Sequence, residues 1–184
     1  MDARALKSRN ALTEAGIELL SLNPSASLKE IAAYAGVGRA TLYRHFESRE
    51  QLIHEIAVET LCMMGELLKP SYDSAATAVE AIKRTFCALL PLGNRYHFLL
   101  LLWDVIEQSD EAMQVYNSQL SSLHTLIEQA KKEGTVNPEL STDWVVSLID
   151  SMLYIGWTSI AKGQMTAEEV IEQALHSLMH GIAR

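Results

Sequence analysis

The chain of 184 residues holds only two cysteines and four prolines, and it has fewer cations than acids, 15 Lys and Arg against 23 Asp and Glu. Two cysteines cannot staple a chain of this length, which excludes a small disulfide scaffold. Cys62 and Cys87 lack a C-x-x-C spacing and fall on separate expected helices on either side of Pro70. If those helices fold back as a hairpin, the axial offset is roughly 12 Å, too far for a disulfide without movement, so both are expected to be free thiols acting as small buried apolar residues. Strand signals are missing: there is no alternating β-branched run and no Asn-Gly or Asp-Gly turn. The strongest apolar run, Phe98 to Trp103, falls far below the roughly 18 residues of a membrane span. The polar start, Met1 to Arg9, lacks the apolar stretch of a secretory signal. A soluble, cytoplasmic protein is expected. Enzyme signatures are missing too: no Gly-rich phosphate loop, no Gly-x-Ser-x-Gly, no His-Glu-x-x-His and no Glu-x-x-His pair. No enzyme, catalytic residue, metal site or cofactor is therefore expected. The net charge of −8 weighs at first against a nucleic-acid partner, because DNA affinity rests on cations set against phosphates.

What the chain does have is apolar material, 48% of its residues, arranged almost throughout with helical periodicity. About nine helices are expected, and the fold class is all-α. Their approximate ranges are 3–22, 28–35, 39–46, 48–70, 74–89, 95–108, 111–133, 142–162 and 166–181. Capping boxes mark three starts, Ser27-x-x-Glu30, Ser48-x-x-Gln51 and Thr166-x-x-Glu169. Asp110 is placed to cap the seventh helix and Gly163 to stop the eighth.

Residues 27–52 differ from the rest. Two short helices are joined by the turn Gly36-Val37-Gly38, the pattern of a helix-turn-helix at about 28–46. Ile31, Ala32, Val37, Leu42 and Phe46 can all face inward, with the small Ala35 where the helices approach most closely. Gly36 can take the left-handed conformation that so abrupt a helix end requires. Arg39, Thr41, Tyr43, Arg44 and His45 then fall at or near the outer face of the third helix.

This run resembles the DNA-binding segment of the tetracycline-repressor (TetR) family of bacterial transcription regulators. The likeness is carried by Ile31-Ala32, Ala35-Gly36-Val37, Thr41 to Phe46 and Ser48 to Leu52, together with Ala11, Ala15 and Leu19-Leu20 in the first helix; it spans about residues 5–55. It implies a three-helix DNA-binding domain at 1–52 and a helical ligand-sensing and dimerisation domain at 53–184. The third helix would lie in the major groove of a double-stranded operator, with Arg39, Ala40, Thr41 and Arg44 nearest base edges. Tyr43, His45 and Arg49 would hold phosphates, and Ser27 and Lys29 would touch the backbone. Gly38-Arg39 departs from the Ser-Lys or similar polar pair of many relatives, so one contact from position 38 is expected to be missing.

The charge objection weakens when it is divided. Residues 1–50 carry seven cations and six acids, a net of +1, and the remainder carries −9. In that remainder, apolar side chains are interrupted by polar ones, as in a small-molecule pocket. Candidate ligand-binding residues are Met63, Phe86, Phe98, Trp103, Asp104, Tyr116, Asp150, Tyr154 and Trp157, for an apolar or amphipathic effector. Asp150 stands out on an almost wholly apolar helix. The resemblance further implies a homodimer through the eighth and ninth helices. The ninth carries the stripe Val170, Ile171, Ala174, Leu175, Leu178, Met179 and Ile182, and the eighth the small residues Ser147, Ser151, Gly156 and Ser159. The resulting reading is a repressor, released by its ligand, that binds a palindromic operator as a dimer.

Overall fold

A computed structural model describes residues 3–182, with side chains as far as Gly181; Ile182, placed in the apolar stripe of the last helix, has its side chain outside that description. Among the described residues every regular element is helical. The order is α1 (Ala3–Leu22), α2 (Leu28–Tyr34), α3 (Arg39–His45), α4 (Arg49–Asp73), α5 (Ala78–Leu89), a 3₁₀ turn (Leu90–Leu92), α6 (Gly93–Leu101), α7 (Trp103–Ile106), α8 (Asp110–Lys132), α9 (Thr142–Ala161) and α10 (Ala167–Ile182). Counted with α6 and α7 as one broken helix, these are the nine expected; the break falls at Leu102, whose φ of −115° and ψ of 17° leave the helical region.

Two compact units are present, residues 3–61 with 94–115, and residues 62–93 with 116–182. In the first, α1, α2 and α3 pack on one another around Leu12, Leu20, Ile31, Leu42 and Phe46, all fully buried. The first turns of α4 add Leu52, Ile53 and Ile56, also fully buried. Gly16 makes the α1–α4 approach possible, since a Cβ there would lie 2.8 Å from Ile56 Cδ1. Segment 94–115 joins this unit through polar ties. Arg95 on α6 pairs with Glu14 on α1, and His54 on α4 lies 2.8 Å through Nε2 from the Val105 carbonyl. His97 hydrogen-bonds the Ser21 backbone.

In the second unit α9 packs on α10 and on the 3₁₀ turn, and α10 packs on α5. Gly156 was expected to let a partner helix approach, but it serves the chain's own packing: a Cβ there would come within 2.3 Å of Val170 Cγ1 on α10. The central part of α9 is otherwise strongly apolar, with a mean hydropathy of 1.3 over its best window, and yet only 28% of that window is buried. By length and composition alone this helix could cross a membrane, although Asp143 and Asp150 interrupt its apolar run.

Several local expectations change. Cys62 and Cys87 are free but exposed rather than buried, because Leu61, Met64 and Phe86 take the inward positions of their helices. α4 runs through Pro70 to Asp73 and closes where the Ser74 N–H and hydroxyl both donate to the Pro70 carbonyl, at 3.2 and 2.7 Å. α5 starts at Ala78, capped by Thr77. Ser109, not Asp110, caps α8, its Oγ accepting the Ala112 N–H at 3.3 Å. The boxes at Ser27 and Thr166 form reciprocally. At Ser48 the Gln51 side chain reaches one residue further back and accepts from the Glu47 N–H at 2.7 Å.

Two outcomes are expected from this packing. Gly156→Ala gains helix propensity but overpacks against Val170, so denaturant unfolding should show a loss of about 1–3 kcal/mol. Adding Val170→Ala should then cost less than the sum of the two single changes. The second concerns His97, whose desolvation pushes its imidazole below its ordinary value of 6.5 despite the bond to Ser21. A depressed folded value means that the unfolded chain takes up the proton first, so this contribution is complete above about pH 6.5 and fades as pH falls below it. Thermal melts from pH 7 to 5 should show the wild type losing stability relative to His97→Gln; parallel curves would refute the assignment.

Candidate nucleic-acid interface and sensor cleft

The helix-turn-helix, which with α1 forms the head of the chain, is built from two helices of seven residues each. Ser27 caps α2: its hydroxyl donates to Glu30 Oε2 at 2.6 Å and accepts the Glu30 N–H at 3.3 Å, while Glu30 accepts the Ser27 N–H at 2.7 Å. These bonds to the Ser27 hydroxyl and N–H hold the Glu30 carboxyl below the usual carboxylate range. Gly36 ends α2 at a φ of 66°, a conformation costly for any residue with a Cβ. The Val37 N–H then donates back to the Ala32 carbonyl at 2.9 Å, which aims the chain into α3.

Leu42 and Phe46, one helical turn apart, are fully buried. Positions 39, 40, 43 and 44 are thereby turned outward, and Arg39, Ala40, Tyr43 and Arg44 are all exposed, with Thr41 half-buried beside them. The Arg39 guanidinium lies 5.7 Å from the centre of the Tyr43 ring, a cation–π contact that lays it along the outer face of α3. Ser27 and Lys29 are exposed at the start of α2. Seven of the nine residues named for DNA are therefore exposed or, for Thr41, half-buried.

The other two are turned toward their own protein. His45 Nε2 sits 2.8 Å from Ser8 Oγ on α1. Arg49 donates through Nε to the Ala26 carbonyl at 3.0 Å and through Nη2 to the Pro24 carbonyl, so it clamps the loop that leads into Ser27. Arg9, which no motif singles out, forms a double ion pair with Glu55 and Glu59 on α4 and lies over Phe46 at 5.9 Å.

The second unit contains a cleft of about 730 Å³ between α8 and α9, lined among others by Tyr116, His124, Asp143, Ser147, Asp150 and Ser151. Burial, and then the Asp150 charge, raise the Tyr116 phenol above its ordinary value. His124 lies 3.4 Å from Asp143. Of the nine ligand candidates only Tyr116 and Asp150 line this cleft. Phe86 is fully buried in the second unit's core and Phe98 in the first's. Trp103 and Asp104 also belong to the first unit, and Tyr154 is 46% exposed on α9. Met63 and Trp157 are half-buried in the second unit, where the absence of a Cβ at Gly93 makes room for the Trp157 indole. Asp143 is an acid in the first turn of its helix, an ordinary placement that does not mark it in the sequence as a cleft residue.

A family model described as bacterial regulatory proteins, tetR family, matches residues 12–56. The repressor LfrR of Mycolicibacterium smegmatis is 23% identical over 176 residues, covering 96% of this chain and 90% of that protein. The repressor KstR2 of Mycobacterium tuberculosis is 24% identical, covering 87% and 84%. Among solved structures, a TetR family transcription regulator from Marinobacter aquaeolei superposes over all of this chain and 99% of its own, with a TM-score of 0.84 at 20% identity. LfrR, solved in complex with proflavine, covers 97% of both chains with a TM-score of 0.78 at 21% identity.

The placement of Arg49 yields a test that separates structure from recognition. Arg49→Ala should lower the stability of the DNA-free protein by about 1–2 kcal/mol, because two loop carbonyls lose a charged donor. An unchanged melt combined with weakened DNA binding would return Arg49 to a purely phosphate-binding role.

Proposed function

Because residues 12–56 match the model of the tetR family of bacterial regulatory proteins, we propose that the chain is a member of that family and a ligand-released repressor, acting as a homodimer on a palindromic operator. It is a DNA-binding transcriptional regulator and not an enzyme. The observation that carries the reading is the outer face of α3, where Arg39, Ala40, Tyr43 and Arg44 are exposed directly over the buried Leu42 and Phe46. On this reading residues 1–52 do the DNA work and residues 53–184 the sensing and pairing, in the cytoplasm. α3 enters the major groove with Arg39, Ala40 and Thr41 at base edges. Tyr43, Lys29 and Ser27 meet the backbone, and His45 and Arg49 brace the head from within.

Pairing is proposed through α9 and α10. Trp144, Tyr154 and Ile155 on α9 are 62%, 46% and 60% exposed, an apolar surface that water penalises and a second copy would cover. Two heads set about 34–36 Å apart, or a multiple of that, match successive turns of the same face of DNA.

The effector is proposed to occupy the cleft of Tyr116 and Asp150. It would present an apolar body and a hydrogen-bonding or cationic group, the latter toward Asp150. That LfrR was solved with proflavine supports a chemistry of this kind. The ligand releases DNA only if it binds the DNA-incompetent state more tightly. α4 belongs to both units, since the division falls after Leu61 within that helix, and is the connection through which such a preference would act.

Selection of bound DNA from a random pool should return a palindrome. Arg39→Ala should relax the preference at one base position per half-site, worth about 1–3 kcal/mol. Sedimentation should show a dimer at micromolar concentration. Specific binding with no salt dependence, or a monomer that binds as well as the dimer, would overturn this reading.

A further inference from the structure

We propose that His176 and His180, one turn apart near the end of α10, form a chelating site for a first-row transition-metal ion such as Zn²⁺ or Ni²⁺. The inference stands apart from the DNA reading and uses residues that no part of that reading employs. The two rings are stacked, with centroids 4.0 Å apart and planes inclined by 28°, and both side chains are exposed. Histidines at i and i+4 share one face of a helix, the spacing that sets two imidazole nitrogens on a single ion. The inward face of α10 is supplied by Val170, Ala174 and Leu178, all buried, so neither histidine serves the core.

The His180 ring is already set for a metal. Its Nδ1 lies 2.9 Å from the His176 carbonyl oxygen. A carbonyl oxygen only accepts, so Nδ1 carries the proton, and Nε2 of the neutral ring keeps its lone pair. A metal-bound histidine is held in the same way: its second nitrogen donates to a carbonyl or carboxylate, which fixes the tautomer and the direction of the ring. The His176 ring lies alongside, and rotation about its own side-chain bonds turns a nitrogen toward the same point.

Charge along the helix favours a cation. α10 carries Glu168, Glu169 and Glu172 and no Lys or Arg, so no cation of the same helix opposes the ion. The pair also sits in the last two turns, where unpaired carbonyls give a helix end a partial negative charge. Imidazole selects Zn²⁺, Ni²⁺ or Cu²⁺ over Mg²⁺ and Ca²⁺, which prefer oxygen ligands. The pattern His-x-x-x-His lacks the Glu that acts as general base in hydrolytic zinc sites, so the ion is held here and not used in catalysis. Two ligands one turn apart tie together the end of α10, where helices fray.

The test uses the untagged full-length chain, stripped with a chelator, and Zn²⁺ alone as the probe. Equilibrium dialysis should give about one Zn²⁺ per chain. His176→Gln and His180→Gln should each weaken binding by on the order of a hundredfold. Cys62→Ser combined with Cys87→Ser should keep it, which separates the site from the two exposed thiols. Metal-free melts check the fold of each variant. With Zn²⁺ at about a hundred times its dissociation constant the wild type should melt roughly 5–10 °C higher, and the Gln variants should not shift. Binding that survives either Gln change, or that disappears with the thiols, puts the ion elsewhere and overturns the proposal. So does a wild type that takes up neither Zn²⁺ nor Ni²⁺. None of these outcomes touches the repressor reading, which stands or falls on the DNA measurements above.

Discussion

A helix of seven residues cannot hold itself in water, because it closes too few hydrogen bonds to offset nucleation. α2 and α3 are both of that length. They exist because Ile31, Leu42 and Phe46 are wholly withdrawn from solvent together with Leu12, Leu20 and Leu52. That shared burial governs everything else in the head. It decides which side of α3 is left exposed, and on the proposed function that side, the complement of the core, is the one that reads DNA. The polar residues around it then divide into those that keep the short helices in place, such as Ser27, Glu30 and Arg49, and those that are left facing outward.

The same unit is larger than its reading helices. Residues 94–115 join it through the Arg95–Glu14 pair, the His54 contact with the Val105 carbonyl and the His97 bond to Ser21. Most of α6 and all of α7 therefore belong to the same compact unit as α1, α2 and α3.

The helix-turn-helix was legible because close-packed short helices tolerate few residue types at each position. Gly36 must turn left-handed, Ala32 must be small, and Leu42 and Phe46 must point inward, so the pattern survives as a readable string. Helix starts were legible where a side chain caps its own turn, as at Ser27 and Thr166. The direction in which a polar side chain points was not legible. Arg49 and His45 have partners 23 and 37 residues away, and periodicity carries no trace of such pairings. Nor does it show that a proline near a helix end, such as Pro70, is tolerated when the following serine closes the turn. The sensor was the least legible region, since Phe86 and Phe98 as core and Tyr116 and Asp150 as cleft differ in burial but not in local pattern.

The exposed apolar side of α9 has one more consequence. If a second copy covers it, the species that reads DNA is scarce at low protein concentration and its abundance rises with the square of the monomer concentration. Operator occupancy then responds steeply to expression level before any effector is present. Substitutions at Trp144 or Ile155, far in sequence from every DNA-facing residue, would set the number of molecules a cell needs before the regulated promoter is silenced.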